Sequence, residues 1–155
     1  MTSKIELRFE TAASDDFEYL YALCDLTMRA YVETVFGDHF EQIARSTIST
    51  LLTQSLFQKI YFNDVLVGAI AVARHETHFQ LEELYIDPLY QKRGIGTLVV
   101  RQIIAQSIAQ GKPIRLNVLS SNSARAFYEK LGFSITNATP TIIFMERRSE
   151  LVACE

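Results

Sequence analysis

The sequence predicts an α+β domain in which a central mixed sheet carries helices on both faces. Three observations lead to this prediction. The apolar periodicity changes several times between a period of two residues and helical spacing. Three strands follow one another in the middle of the chain, which favours hairpins. A strand, a helix and a strand come next, whereas a purely parallel sheet would need strict alternation of strand and helix throughout.

The first part of the chain predicts one strand followed by two helices. Residues 5–9 alternate apolar and charged side chains, as a half-buried strand does. Apolar residues then recur twice at helical spacing, and residues 36–38 interrupt them. Capping chemistry marks the boundaries: Asp15 or Asp16 caps the first helix, which runs to about Val35, Gly37 ends it, and Asp38 caps the second helix.

The rest of the chain predicts the order βββ-α-β-α-ββ. The strands are expected at residues 57–62, 65–73, 78–86, 114–119, 133–135 and 141–147. Turn and cap residues separate them: Asn63-Asp64 and Asp87-Pro88 as turns, Gly94 or Gly96 at the start of a long helix, Gly111 and Pro113 after it, Ser121 or Asn122 as the cap of the last helix, and Leu131-Gly132 at its end.

The composition indicates one folded domain spanning residues 1–155, with a hydrophobic content of 48%. No apolar run approaches the roughly 20 residues that cross a bilayer, so no membrane partner is expected. The formal net charge of −3 argues against a nucleic-acid partner. Cys24 fits a helical core position, and Cys154 falls in the tail. Two distant cysteines and an N-terminus unlike a signal peptide predict a cytoplasmic location.

Residues 91–97 read Gln-Lys-Arg-Gly-Ile-Gly-Thr and lie where a strand gives way to a long helix. The first turn of a helix presents unpaired N–H groups and the positive end of the helix dipole, which together suit a phosphate group. Gly94 and Gly96 allow close approach of the backbone, and Lys92 and Arg93 add positive charge. The segment predicts an anion site, although a tight strand-to-helix turn would also need glycine.

Other sites fit the sequence less well. Residues 91–97 lack the Lys-Ser/Thr ending of a Walker A loop and have two glycines where the dinucleotide fingerprint has three. His75 and His78 have metal-like spacing only on a helix, and they fall between two strands, so no metal site is expected. No serine lies in a Gly-x-Ser-x-Gly elbow, so a hydrolase triad has no support.

Two motifs make the chain similar to the GCN5-related N-acetyltransferase (GNAT) superfamily. The first is the spacing Gln-x-x-Gly-x-Gly at residues 91–96, after Leu-Tyr-Ile-Asp-Pro. The second runs from Asn122 through Tyr128 to Phe133 and resembles Asn-x-x-Ala-x-x-x-Tyr-x-x-x-Gly-Phe with one offset, since alanines stand two and four residues after Asn122. The resemblance implies a mostly antiparallel central sheet whose splayed strands form an acyl-CoA cleft.

The resemblance assigns coenzyme A-binding roles to three segments. The loop that would hold the pyrophosphate comprises Gln91, Lys92, Arg93, Gly94, Ile95, Gly96 and Thr97. The strand that would pair with the pantetheine arm comprises Leu84, Tyr85 and Ile86, since a free strand edge can bind an extended chain. Asn122 and Phe127 complete the set, although Asn122 would serve equally well as a helix cap.

Tyr128, Glu82 and Glu83 are the candidates for proton transfer. Tyr128 matches the general acid of the superfamily, because a phenol can protonate the departing thiolate, but it would also suit a packing role beside Phe127. Glu82 and Glu83 lie on the strand before the loop, where GNAT enzymes often place a glutamate. Adjacent strand residues point to opposite faces, so one glutamate is expected to line the cleft, and we favour Glu82. Many relatives use ordered water and no single base.

The resemblance implies an acetyl-CoA-dependent N-acetyltransferase in which a primary amine attacks the thioester directly, without a metal. The acceptor is a small-molecule or peptide amine. The residues that fall on its side are Tyr31, Glu33, Phe36, Asp38 and Asn117. The resemblance also allows a homodimer. Two alternatives remain: an acyl-CoA-binding sensor of the same fold without turnover, and an interaction protein whose glycines serve only a turn.

Overall fold

The structure is a computed structural model that describes residues 6–149, which form seven strands and four helices. In chain order these are β1 (Leu7–Thr11), α1 (Phe17–Phe36), α2 (Phe40–Thr53), β2 (Phe57–Phe62), β3 (Val65–Arg74), β4 (Phe79–Ile86), α3 (Ile95–Ala109), β5 (Ile114–Leu119), α4 (Arg125–Lys130), β6 (Ser134–Ala138) and β7 (Ile142–Arg147). Short 3-10 turns at Ser14–Asp16 and Pro88–Tyr90 precede α1 and follow β4. The predicted order of elements is confirmed.

The strands form one sheet in the order β1-β2-β3-β4-β5-β7-β6. All neighbouring strands in it are antiparallel except β4 and β5, which run parallel. The parallel pairing joins only residues 79–81 to residues 114–116. β4 remains paired with β3 as far as Ile86, and β5 remains paired with β7 as far as Leu119. The predicted mixed, mostly antiparallel sheet is therefore confirmed, and β4 and β5 diverge beyond Leu81.

Helices cover both faces of the sheet, as predicted. On one face, α1 and α2 bury Leu20, Phe40 and Ile48 against Phe57 and Tyr85 of the strands. On the other, α3 and the segment around α4 bury a second set, which comprises Val99, Val100, Ile103, Tyr128 and Phe133. Burial of each large apolar side chain contributes about 1.5–3 kcal/mol to stability. The two packed layers hold the divergent strands β4 and β5 between them.

Several predicted boundaries are wrong in detail. β1 extends to Thr11 because every one of its residues pairs with β2, and Ile5, its predicted start, lies outside the described residues, as does Cys154. Asp38 does not cap α2: its side chain is fully exposed, and His39 stands at the cap position. β6 continues to Ala138 because it pairs with β7. The predicted end of α1 is confirmed, since Gly37 has φ +72° and donates to the Glu33 carbonyl at 2.9 Å.

The start of α4 also differs from the prediction. The Asn122 side-chain oxygen accepts the Ala124 N–H at 2.9 Å, and the Asn122 N–H donates to the Leu119 carbonyl at 2.9 Å. These bonds build a turn before the helix, which begins at Arg125. The Asn122 side chain therefore stabilises this turn and does not cap α4. Its bond to the backbone N–H two residues ahead favours a turn over a helix at this point.

Candidate active site

The candidate site lies where β4 and β5 diverge. Because their pairing ends at Leu81, the side of β4 that faces β5 has no strand partner over residues 84–86. A free strand edge offers N–H and C=O groups to an extended ligand that carries amides. The main chain of Leu84, Tyr85 and Ile86 therefore suits the pantetheine role that the family resemblance implies for it.

A β-bulge at Glu82 decides which side chains of β4 face the cleft. In the pairing with β3, Leu81 lies opposite Val72 and Glu83 lies opposite Ala71, so Glu82 is an extra residue without a partner. An extra residue of this kind shifts the alternation of the strand by one position. The expectation that only one glutamate would line the cleft assumed strict alternation and is wrong: Glu82 and Glu83 both border it.

The packing of β4 shows the same shift. Phe79 and Leu81, before the bulge, are buried in the core beneath α3. Leu84, after the bulge, is half-buried and packs against the same core. Tyr85, which would share the face of Phe79 and Leu81 in a regular strand, is instead buried beneath α1 and α2. The bulge thus turns Glu83 and Tyr85 towards the helices that cover the opposite face.

The loop between β4 and α3 presents free backbone amides. Gly94 stands at the N-cap with φ +80°, a conformation that favours glycine. The first helical bond runs from the Leu98 N–H to the Gly94 carbonyl at 3.1 Å, so the N–H groups of Ile95, Gly96 and Thr97 have no acceptor within the helix. The Gln91 amide donates to the Ile86 carbonyl at 2.9 Å and ties the loop to the end of β4.

The residues of this loop differ in their position relative to the cavity in front of the helix. Gln91, Lys92 and Thr97 border that cavity. Ile95 is 2% exposed and packs in the core, so its contribution to the cavity is its backbone. The Arg93 guanidinium lies over the Tyr90 ring, 5.6 Å from the ring centroid. The donors and the positive helix end fit a pyrophosphate.

Two cavities meet at Tyr128. One, of about 420 Å³, runs from the start of α3 along β4. The other, of about 330 Å³, lies between the sheet and helices α1 and α2. The residues that border both are Met28, Leu84, Asn122, Ala124 and Tyr128. A ligand in the first cavity therefore meets a ligand in the second beside the Tyr128 side chain.

The Tyr128 side chain packs and faces the cleft at once. It is 8% exposed and lies edge-on between Phe127 and Phe133, with ring centroids 5.0 and 5.5 Å away. Burial raises the pKa of its phenol well above the ordinary value, and the charge of Glu83 raises it further. The hydroxyl therefore stays protonated at neutral pH, which a proton donor requires.

Glu83 carries the more perturbed carboxylate of the two glutamates. Burial raises its pKa to about 7, the charge of Glu82 acts in the same direction, and the Tyr85 hydroxyl opposes the shift. Partial loss of solvent also raises the pKa of Glu82, whose side chain is more exposed than that of Glu83. The same Tyr85 hydroxyl lies next to Cys24. Burial raises the pKa of the Cys24 thiol to about 11. That thiol is protonated and buried in the core, as predicted for Cys24.

The acceptor-side residues named from the sequence are divided between the two cavities and the surface. Phe36 and Asn117 border the 330 Å³ cavity, and Tyr31 borders the other. Glu33 pairs with Arg29 at 3.0 Å, and Asp38 is exposed. Sequence reasoning named Phe36 but missed the rest of the cavity wall to which it belongs, formed by Cys24, Met28 and Val32. Their spacing of four residues marks one face of α1, but periodicity does not distinguish a face on a cavity from one on solid core.

Gly68 of β3 fixes the position of Tyr85. A Cβ at Gly68 would overlap the Tyr85 carbonyl oxygen and approach the Ile86 Cα to 3.2 Å. We expect Gly68→Ala to lower the free energy of unfolding by about 1–3 kcal/mol, because backbone atoms must move. Chemical denaturation measures the loss. Since the displaced residues belong to the cleft edge of β4, the affinity for acetyl-CoA should fall as well.

Gly96→Ala is the matched control for this substitution. A Cβ at Gly96 would meet the Phe127 ring at an ordinary contact distance of 3.5 Å. Alanine also favours a helix by up to about 1 kcal/mol over glycine. Its stability should equal or exceed that of the wild type. If Gly68→Ala were as stable as Gly96→Ala, the close approach of β3 to Tyr85 would not constrain the cleft.

Residues 6–149 contain no group of three or more His, Cys, Asp or Glu side chains placed to hold a metal ion. Within the same residues, no helix combines the length and apolar character needed to cross a membrane.

A family model described as an acetyltransferase (GNAT) domain matches residues 27–141 of the chain. The structure is also similar to solved structures of N-acetyltransferases. One is the PaiA N-acetyltransferase from Thermoplasma acidophilum in complex with coenzyme A, with 22% identity, a TM-score of 0.77, and coverage of 94% of this chain and 99% of that one.

Two further structures share the fold. The ribosomal-protein-S18-alanine N-acetyltransferase from Escherichia coli is 18% identical, with a TM-score of 0.70 and coverage of 96% of this chain and 97% of that one. Naa50 from Arabidopsis thaliana, in complex with the bisubstrate analogue CoA-Ac-MVNAL, is 19% identical, with a TM-score of 0.64 and coverage of 91% and 97%.

Proposed function

The chain belongs to the GNAT acetyltransferase family, and on this premise we propose that it transfers an acetyl group from acetyl-CoA to a primary amine. The observation that carries the proposal is the junction of two cavities at the buried, protonated Tyr128. A protein that only sensed acyl-CoA would need the cavity in front of α3, but not a second cavity that opens onto the same tyrosine.

The residues in front of α3 support acetyl-CoA as the cosubstrate. The free amides of Ile95, Gly96 and Thr97 would hold the pyrophosphate, and Lys92 adds a positive charge at the border of the same cavity. The unpaired edge of β4 over residues 84–86 would bind the pantetheine arm and direct an N–H towards the acyl oxygen. Acetyl-CoA would supply an acyl group activated as a thioester.

Proton transfer is assigned to residues on opposite sides of the junction. Glu83 or Glu82 would take a proton from the acceptor ammonium, directly or through water. Tyr128 would give its proton to the sulfur of the leaving thiolate, and a second proton lost by the amine nitrogen restores the phenol. The overall change forms a C–N bond, breaks the C–S bond and releases one proton to solvent.

The pH dependence of turnover tests the glutamates. Glu83 must be ionised to accept a proton, and its pKa is about 7. In the wild type, kcat should therefore rise between about pH 6 and 8 and then level off. Glu83→Gln should lower kcat about tenfold at pH 8 and lose this rise. Glu82→Gln, assayed with the same acceptor, is the matched control and should keep the rise of kcat with pH. If only Glu82→Gln lost that rise, the base would be Glu82.

The same pKa shift predicts an effect on stability. Folded Glu83 holds its proton up to a pKa of about 7, against an ordinary value of 4.5. The wild type should therefore lose stability as the pH rises through that interval, because the folded protein binds the proton more tightly than the unfolded chain. Glu83→Gln removes the titration, so the stability of this variant relative to the wild type should increase by about 3 kcal/mol between pH 4.5 and 8. A constant difference measured by denaturation would contradict a buried, neutral Glu83.

Thiol release tests the transferase function itself. Purified protein is first titrated calorimetrically with acetyl-CoA and then assayed for coenzyme A release with a panel of primary amines. Amine-dependent release from a protein that binds acetyl-CoA supports transfer. Binding without release across the panel would favour the acyl-CoA sensor, and the absence of binding would favour an interaction protein that uses the glycines only for a turn.

A further inference from the structure

The cavity between the sheet and helices α1 and α2, called here the acceptor cavity, is bordered by acidic but not by basic side chains. Its described border includes Glu82 and Glu83 and no Lys, Arg or His. The helical wall opposite them is largely apolar, and its members include Met28, Val32, Phe36, Phe40 and Ile43. A ligand in the acceptor cavity therefore meets carboxylates on the side of the sheet and hydrocarbon on the side of the helices.

Two arginines beside this wall are already paired with carboxylates. Arg29 of α1 lies 4.5 Å from the centroid of the Phe40 ring, and it is held by Asp25 at 2.6 Å and Glu33 at 3.0 Å. Arg45 follows Ala44, a residue of the α2 wall, and is held by Glu41 at 3.2 Å and Glu18 at 3.5 Å. Each guanidinium therefore has two carboxylate partners outside the cavity, and an anion inside the cavity would compete with both.

We propose that the acceptor is a primary amine on an apolar group, with no carboxylate or phosphate close to the amine. This inference rests on the N-acetyltransferase function proposed above and names its substrate class. A bound ammonium group favours the ionised form of Glu83, so Glu82 and Glu83 both attract it, and the helical wall buries the apolar group. A carboxylate beside the amine would enter the cavity without a cation to pair with and would face the two glutamates, which is unfavourable for a charge removed from water.

Two sources supply this chemistry. One is a free hydrophobic amine, and the other is the N-terminus of a peptide with an apolar first residue, in which the amine neighbours a neutral amide. In a free amino acid, by contrast, the carboxylate carbon lies two bonds from the amine nitrogen. The proposal therefore excludes free amino acids as acceptors. Matched compounds therefore separate the proposed class from its competitors and then separate the two sources.

Binding is measured by calorimetry on the full chain saturated with coenzyme A, so that selectivity is read without turnover. The matched pairs are 3-methylbutylamine against leucine and 2-phenylethylamine against phenylalanine. In each pair the amine should bind at least about a hundredfold more tightly than the amino acid. Equal affinity within the pairs would overturn the inference. A peptide that begins with methionine and valine distinguishes the two sources. Tighter binding than that of 2-phenylethylamine would indicate a peptide N-terminus, and weaker binding would indicate a free amine.

This measurement separates the inference from the function on which it rests. Selective binding of apolar amines without any coenzyme A release would support the proposed class of ligand and overturn acetyl transfer. Coenzyme A release with free amino acids as equally good acceptors would support acetyl transfer and overturn the acceptor class.

A pair of substitutions on α1 tests the charge argument. Phe36 borders the acceptor cavity and is 39% exposed, so Phe36→Arg adds a cation there without burying it fully. Leu26→Arg adds the same charge on the same helix at a site 67% exposed, away from both cavities. Phe36→Arg should raise the affinity for leucine about tenfold and lower that for 3-methylbutylamine, whereas Leu26→Arg should change neither. Unchanged selectivity in Phe36→Arg would overturn the inference.

Discussion

Replacement of Tyr128 by phenylalanine is expected to lower kcat by about a hundredfold or more and to leave the affinity for acetyl-CoA within about twofold of the wild-type value. The substitution removes one hydroxyl and keeps the ring that packs between Phe127 and Phe133. The lost group is the protonated donor at the junction of the two cavities. Steady-state kinetics together with acetyl-CoA titration measures the two effects separately.

The raised pKa of Tyr128 makes this prediction more specific. Because the phenol stays protonated well above its ordinary pKa of 10.0, the loss of activity should be the same at every pH between about 6 and 9. Tyr21→Phe removes a hydroxyl from a tyrosine that packs against Phe40 outside both cavities and should leave kcat unchanged. Wild-type turnover in Tyr128→Phe would remove this residue from the mechanism, and a matching loss of acetyl-CoA affinity would assign it to packing.

Local signals in the sequence were sufficient for the order of elements. Strand β2 spans Phe57–Phe62 as predicted, because an aromatic and β-branched run ends at a turn whose residues Asn63 and Asp64 both have positive φ. The start of α3 was predicted at Gly94 or Gly96, and Gly94 stands at the N-cap with φ +80°. Such signals depend on neighbouring residues alone, so one sequence is enough to identify them.

The geometry of the cleft depends on contacts between distant segments and was harder to predict. The bulge at Glu82 arises from the register between β3 and β4, and nothing in residues 79–86 taken alone reveals the extra residue. The prediction therefore favoured one glutamate, although both border the acceptor cavity. The turn that Asn122 builds before α4 was missed for a similar reason, because a cap and a turn use the same side-chain oxygen.

The position of Tyr128 shows how the two kinds of information combine. Its place in a motif suggested a proton donor, and its apolar neighbours suggested packing. The structure accommodates both, since the ring is buried while the residue borders both cavities. Burial is also what raises its pKa, so the packing that made its role ambiguous in the sequence keeps the phenol protonated.

Thr97→Asp is expected to separate the stability of α3 from its ability to bind acetyl-CoA. Thr97 lies in the first turn of the helix and borders the cavity in front of it. An aspartate there interacts favourably with the positive end of the helix dipole, so the free energy of unfolding should rise by about 0.5 kcal/mol. The same carboxylate would repel the pyrophosphate and occupy its donors, so acetyl-CoA affinity should fall about a hundredfold or more. In this one variant, the free energy of unfolding measured by denaturation should therefore rise, while the acetyl-CoA affinity measured by calorimetry should fall.

Two controls assign this effect to charge at the helix start. Thr97→Asn has nearly the size of the aspartate without its charge and should bind acetyl-CoA with an affinity close to the wild-type value. Leu98→Asp changes the net charge from −3 to −4, as Thr97→Asp does, but at a neighbouring site 37% exposed that borders neither cavity. It should weaken binding only slightly, since solvent screens a charge at an exposed site outside the cavity. Retention of full affinity by Thr97→Asp would mean that the free amides at the start of α3 do not hold the pyrophosphate, and the first cavity would need a different ligand.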